Sequence, residues 1–104
     1  MGEVASEAVV KRRNGLFYID VPGAEKPLLR YRIEGERMFL ESTYTPPMLR
    51  GKGYAARLVE AAIKYAEENG LKIVPVCSYV VYYFTKHPEK KHVLDESYQD
   101  LVEE

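Results

Sequence analysis

The sequence predicts an α+β fold with one mixed, mostly antiparallel sheet of about five strands and two main helices. The first observation is Asn14-Gly15 between two strand-like runs, which is typical of a tight type I′ hairpin turn. The second is helical apolar spacing over residues 52–69, and the third is the short apolar run at residues 71–76. A strand, helix and strand in this order require a parallel crossover, so the sheet must be mixed.

Four strands are expected in the N-terminal half of the chain, and a hairpin turn joins the first two. They are predicted at residues 9–13, 16–21, 26–34 and 37–44. Leu29, Tyr31 and Ile33 alternate along the third strand and should share one face. Because the arginines of these strands are interleaved with Glu34 and Glu41, they indicate a solvated sheet face rather than a basic patch.

The helix over residues 52–69 should bury a stripe of apolar side chains and end at Gly70. The expected stripe is Ala55, Leu58, Ala62, Tyr65 and Ala66. Glu60 and Lys64 are spaced for an i,i+4 ion pair on the wet side. A second helix is predicted at residues 79–86, with Ser78 as its cap.

Composition limits the function classes. The 104 residues suit one domain over residues 1–104, with residues 1–7 and 95–104 expected to fray. A net charge of -1 gives no pull toward nucleic acid or a membrane surface. Cys77 is a lone cysteine, and no signal peptide or membrane-spanning run is visible. We therefore expect a cytoplasmic protein, a monomer or weak dimer, with no nucleic-acid or membrane partner.

A glycine-rich loop before the first helix is the strongest candidate site. Pro46-Pro47 ends the fourth strand, because proline cannot donate to a strand ladder. The backbone N–H groups of residues 50–53 and the helix dipole then converge on one spot, which suits a pyrophosphate. A Walker loop is excluded because Gly53 follows Lys52 where Ser or Thr is required, and a dinucleotide fingerprint would need a third glycine.

The run Arg50-x-x-Gly53-x-Ala55 matches the R/Q-x-x-G-x-G/A acetyl-CoA signature of the GNAT acetyltransferase superfamily. In particular, residues 38–92 resemble a small single-domain GNAT-like group of about one hundred residues. The further motifs that carry this resemblance are Pro46-Pro47, Glu68-Asn69-Gly70-Leu71-Lys72, Pro75-Val76-Cys77, Tyr83 and His87-Pro88-Glu89. One position departs from the group, because Ser42 stands where a histidine is common.

The resemblance implies a shortened GNAT fold that binds acetyl-CoA as a co-substrate and needs no metal. In that fold the fourth and fifth strands splay apart, and the pantetheine arm lies between them like an added strand. The expected coenzyme-binding residues are Ser42, Thr43, Tyr44 and Thr45 on the strand, and Arg50, Gly51, Lys52, Gly53, Tyr54 and Ala55 on the loop.

Three residues are candidates for chemistry. Cys77 precedes a helix start, which favours a thiolate, although a lone cysteine also serves as a small buried hydrophobe. By the resemblance, Tyr83 is the proton donor to the departing sulfur; the alternative is a core aromatic residue. Glu41 is a candidate general base or else a solvated strand carboxylate.

The resulting hypothesis is transfer of an acetyl group from acetyl-CoA to an amine, such as a protein lysine or an N-terminus. Direct attack by the amine and a route through acetyl-Cys77 both remain open. The alternative is a non-catalytic acyl-CoA-binding or protein-interaction module, which the serine at position 42 favours.

Overall fold

A five-stranded sheet frames the protein, whose computed structural model describes residues 9–101. Its strands are β1 (Lys11–Arg13), β2 (Leu16–Tyr18), β3 (Leu28–Glu34), β4 (Arg37–Tyr44) and β5 (Lys72–Pro75). They lie in chain order; β1 to β4 are antiparallel neighbours, and β5 is parallel to β4. The predicted α+β class, with its mixed and mostly antiparallel sheet, is therefore confirmed.

Two main helices follow the antiparallel strands. They are α1 (Tyr54–Glu68) and α2 (Ser78–Lys86), joined to three short 3₁₀ helices at Pro47–Leu49, Pro88–Val93 and Glu96–Leu101. The first two 3₁₀ helices had no signal in the sequence pattern, whereas a loose helix was one interpretation of the tail that contains the third. The predicted cap of α2 was wrong, because Cys77 occupies the N-cap position and Ser78 already belongs to the helix. Within residues 9–101, no helix is long and apolar enough to cross a membrane.

Both helices pack on one face of the sheet, which we call the inner face. Cross-strand partners such as Phe17 with Leu29 and Met38 with Ile73 point to this face and are buried. They form one hydrophobic core with buried side chains of α1 and α2, including Phe84. Burial of this apolar surface stabilises the fold by roughly 25 cal/mol per Å² removed from water.

The opposite, outer face of β1 to β4 carries exposed or half-buried side chains. Arg32 lies over the Phe39 ring, 4.0 Å from its centroid. The same guanidinium pairs with Glu34 and, at 2.6 Å, with Glu41. The outer face is thus a polar surface on which several charges already neutralise one another.

The details of α1 differ from the predicted stripe. Leu58, Ala62 and Ala66 are buried as expected, and Val59 and Ile63 join them. Ala55 and Tyr65 are only half-buried, since they lie at the margins of the core. Glu60 pairs with Arg57 at 3.1 Å, so the expected Glu60–Lys64 pair is not the one formed.

The described part of the tail that was expected to fray, residues 95–101, is anchored to the sheet at Asp95 and forms the 3₁₀ helix Glu96–Leu101. Leu94 forms a parallel bridge with Ile73, and the Asp95 amide donates to the Ile73 carbonyl at 2.8 Å. The buried Asp95 carboxylate accepts from Ser97 and, at 3.1 Å, from the Arg37 guanidinium. Arg37 and Asp95 lie 58 residues apart along the chain, so no local sequence pattern predicts their ion pair. The predictions for residues 1–7 and 102–104 lie outside the described residues.

Candidate functional site

The strands β4 and β5 diverge after four paired positions. Pairing ends at Leu40 with Pro75, whereas β4 continues to Tyr44. The Leu40 carbonyl accepts from the amides of both Val76, at 3.1 Å, and Cys77, at 3.0 Å. Beyond that point no strand within residues 9–101 pairs with the β5 side of β4, and we call the gap between residues 41–44 and residues 76–77 the wedge. A strand edge of this kind offers free N–H and C=O groups to an extended ligand.

A β-bulge marks the start of the wedge. Arg30 pairs with Ser42 and Tyr31 pairs with Leu40, so Glu41 is the extra residue on β4. Bulges bend a strand and re-aim its side chains, and they are frequent beside active sites. The bulge was missed at the sequence level, because no glycine or proline marks it.

A cleft of about 450 Å³ lies between the end of β4, the loop and the first turns of both helices. Its lining is Thr43, Tyr44, Thr45, Leu49, Arg50, Gly51, Gly53, Tyr54, Ala55, Ala56 and Tyr79. Eight of these residues belong to the predicted coenzyme-binding set. Two others do not line it: Ser42 pairs with Arg30 on the outer face, and Lys52 lines a neighbouring pocket beside Val21.

The loop presents unused backbone donors at the start of α1. Gly51 and Gly53 have φ values of 78° and 88°, a left-handed conformation that only glycine adopts without strain. Gly53 is the N-cap, no side chain among the described residues caps the helix, and its first turn holds no acidic residue. The positive end of the helix dipole therefore stays available to an anion. Arg50 donates from Nε to the Thr45 carbonyl at 3.0 Å, which fastens the loop to the end of β4.

Cys77 lies at the wedge and is half-buried at the N-cap of α2. Its Sγ is 3.6 Å from the Thr43 hydroxyl. Burial raises the pKa of the thiol, but the Thr43 hydroxyl and the backbone amides of Val80, Tyr79 and Thr43 outweigh it and lower the pKa below its usual value. The site thus favours a thiolate, as expected for a helix N-terminus.

The tyrosines of α2 occupy different environments. Tyr79 lines the cleft, and burial followed by the charges of Tyr82 and Glu60 raises its pKa. Tyr83 is only 3% exposed and stacks on His87 with ring centroids 4.3 Å apart. Burial, then Glu60 and Glu89, raises the pKa of Tyr83 to about 12. Both phenols keep their protons at neutral pH, but Tyr79 is the one that faces the cleft.

The Glu41 carboxylate is held on the outer face by Arg32. Tyr44, at the cleft rim, donates its hydroxyl proton to Glu25 Oε1 at 3.0 Å. That hydrogen bond, with partial desolvation, raises the pKa of Tyr44. Among residues 9–101, no cluster of His, Cys, Asp and Glu side chains is arranged to hold a metal ion.

Comparison with known proteins identifies the family. The profile of the GCN5-related N-acetyltransferases matches residues 16–93. The chain belongs to this family. It is 32% identical over 79 residues to the human Protein NATD1, covering 74% of this chain and 70% of that protein. The mouse Protein NATD1 is also 32% identical over 79 residues, at 74% and 72% coverage.

A solved structure supports the same conclusion. The NMR structure of a GCN5-like protein from Staphylococcus aureus is similar in fold, with a TM-score of 0.70 and 26% sequence identity. The match covers 86% of this chain and 90% of that one. The sheet, the wedge and the helix-start loop described above are therefore features of an acetyltransferase-family member.

Two matched glycine substitutions test whether the loop binds an anion. Gly51→Glu places a carboxylate at the cleft, whereas Gly35→Glu makes the same change at a turn between β3 and β4, where φ is also positive and a Cβ meets nothing within 4 Å. Both should lose similar stability, about 1–3 kcal/mol, from backbone strain. Only Gly51→Glu should weaken coenzyme A binding in calorimetry, by about tenfold or more, since a like charge at contact costs about 1–4 kcal/mol. Equal affinities in the two variants would contradict an anion site at this loop.

The Cys77 environment predicts a pH effect. Thr43→Val keeps the side-chain shape but removes the hydroxyl that stabilises the thiolate. The pKa of Cys77 should rise, so the alkylation rate measured with iodoacetamide should reach half its plateau at higher pH than in the wild type. Thr85→Val, on the exposed side of α2, is the control and should leave the profile unchanged. A Thr43→Val profile that superposes on the wild type would contradict this role of Thr43.

Proposed function

We propose that the protein is an acetyl-CoA-dependent N-acetyltransferase that transfers an acetyl group to an amine. The observation that carries this proposal is the wedge, which places an unpaired strand edge and a thiolate-stabilising helix start beside the uncapped N-terminus of α1. Family membership supports the reaction class.

The cleft brings the end of β4 and the uncapped start of α1 together, which suits a long coenzyme with an anionic end. The pyrophosphate would accept hydrogen bonds from the backbone of residues 51–55, where Lys52 is exposed to add positive charge. Tyr54 is only 2% exposed, so it would contribute its amide rather than its ring. The pantetheine amides would pair with the free edge of β4 at Ser42 to Thr45, which leads the thioester toward Cys77.

In direct transfer, a neutral amine attacks the thioester carbonyl; a C–N bond forms, the C–S bond breaks and the amine loses a proton. Coenzyme A leaves as a thiolate or takes up a proton. Tyr79 is better placed than Tyr83 to supply that proton, because it lines the cleft and its raised pKa keeps it protonated. Glu41 would accept the amine proton, directly or through water, while Arg32 holds it in place.

The environment of Cys77 favours a second route, because it lowers the pKa of the thiol. Its sulfur would attack the thioester first, which forms acetyl-Cys77 and releases coenzyme A. The amine would then attack acetyl-Cys77, so that a C–N bond forms, the C–S bond to Cys77 breaks, and the proton lost by the amine passes to the thiolate or to solvent. The lowered pKa of Cys77 and its contact with Thr43 of the cleft support this order of steps.

A non-catalytic acyl-CoA-binding module is the second candidate. Two observations favour it. Ser42, on the outer face, stands where the resembled group commonly has a histidine, and the Glu41 carboxylate is paired with Arg32, so it is less available as a general base.

The deciding measurement is release of free coenzyme A from acetyl-CoA in the presence of an amine and peptide panel, together with mass spectrometry of the protein. We expect amine-dependent release. A transient acetyl adduct that Cys77→Ala abolishes, together with its turnover, indicates the covalent route; full turnover in Cys77→Ala indicates direct attack. Binding of coenzyme A without any amine-dependent release would establish the binding module instead.

Tyr79→Phe and Tyr83→Phe separate the two candidate proton donors. Tyr79→Phe should lower kcat at least about tenfold, the low end of a lost general acid, with coenzyme A affinity retained. Tyr83→Phe should change kcat less than about threefold, because this side chain is packed against His87 away from the cleft lining. Stopped assays on samples matched for folded protein give both values. A tenfold loss of kcat in Tyr83→Phe but not in Tyr79→Phe would instead identify Tyr83 as the proton donor.

A further inference from the structure

The two sides of the wedge are not equivalent. The cleft is lined by Ala55 and Ala56 of α1 and by Tyr79 of α2, and both helices pack on the inner face. A coenzyme in this cleft therefore approaches the wedge from the inner side. The acceptor then has the outer face as its open approach, where Glu41 and Ser42 are exposed.

A straight row of side chains crosses the outer face and ends at this opening. Arg13 of β1 pairs with Leu16 of β2, Leu16 pairs with Arg30 of β3, and Arg30 pairs with Ser42 of β4. We call these four residues the arginine row. Because neighbouring strands lie about 4.8 Å apart, the backbone of Arg30 is about 5 Å from that of Ser42, and the backbone of Arg13 about 14 Å.

The two arginines of the row carry charge that the sheet does not neutralise. Arg13 and Arg30 are exposed, and within residues 9–101 neither forms an ion pair with a carboxylate. Arg13 is positioned over the Tyr18 ring, 5.3 Å from its centroid. By contrast, Arg32 pairs with two glutamates and Arg37 pairs with Asp95. The row thus contains two guanidinium groups, in line with the wedge, that no carboxylate of the described residues pairs with.

We infer that the acceptor is a peptide amine followed by acidic residues, and that its carboxylates bind the arginine row while the amine enters the wedge. This inference rests on the proposed acetyl transfer. An open sheet face suits an extended chain, whereas small molecules are usually bound in concave pockets. With a rise of about 3.3 Å per residue, acidic side chains about two and four to five residues from the amine reach Arg30 and Arg13. Guanidinium groups form bidentate hydrogen bonds with carboxylates, which adds specificity.

The test uses peptides that each present one reactive amine, either the N-terminus or a single lysine, followed by acidic, neutral or basic residues. Acetylation is measured by mass spectrometry as kcat/KM. For at least one amine type, we expect the acidic peptide to exceed the neutral one by about three- to tenfold, as for one or two exposed ion pairs, and the preference to shrink at high salt. Arg30→Glu should abolish or reverse the order, and Arg30→Gln should weaken it.

Lys64→Glu is the matched control, because it makes the same change in charge sign on the exposed side of α1. It should leave the peptide order unchanged, and all variants should keep their coenzyme A affinity and melting temperature. Equal rates for the three peptides, or an unchanged order in Arg30→Glu, would overturn the inference of an acidic acceptor. The proposed acetyltransferase activity would still be supported, because acetylation would have been observed. Failure to acetylate any amine would overturn both.

Discussion

The early separation of β4 from β5 is the constraint on which the site depends. The Leu40 carbonyl is the last acceptor the two strands share, and it takes the amides of both Val76 and Cys77. This double acceptance ends the ladder and turns the chain into α2. One divergence therefore creates the free edge of β4, the position of Cys77 at a helix N-terminus and an opening through the sheet. Each of these features would be lost if the strands stayed paired.

The parallel pairing of β4 and β5 also positions the loop. Parallel neighbours require a crossover, and α1 provides it across the inner face. The N-terminus of α1 consequently lies at the carboxyl end of β4, where open sheets commonly bind ligands. Gly51 and Gly53 expose the backbone there, and Arg50 fastens the loop to Thr45. The candidate anion site is thus a product of topology as well as of composition.

Side chains at the start of α2 and further along it have pKa values shifted in opposite directions. At the start of α2, backbone amides and the Thr43 hydroxyl stabilise the Cys77 thiolate against burial. Further along the helix, burial keeps Tyr79 and Tyr83 protonated. The pKa of the Cys77 thiol is therefore lowered while those of the two phenols are raised. Burial raises the pKa of all three groups, and only at Cys77 do local hydrogen bonds outweigh it.

The sequence by itself determined the elements that depend on local physics. The turn at Asn14-Gly15, the bounds of β4, the course of α1 and the glycine loop follow from turn chemistry, alternation and helical period. The tertiary structure decided the β-bulge at Glu41, the pairing of that carboxylate, the capping position of Cys77 and the tyrosine that faces the cleft. These depend on partners far apart in the chain, as in the contact across 34 residues between Thr43 and Cys77, and on which side of α2 packs against the core.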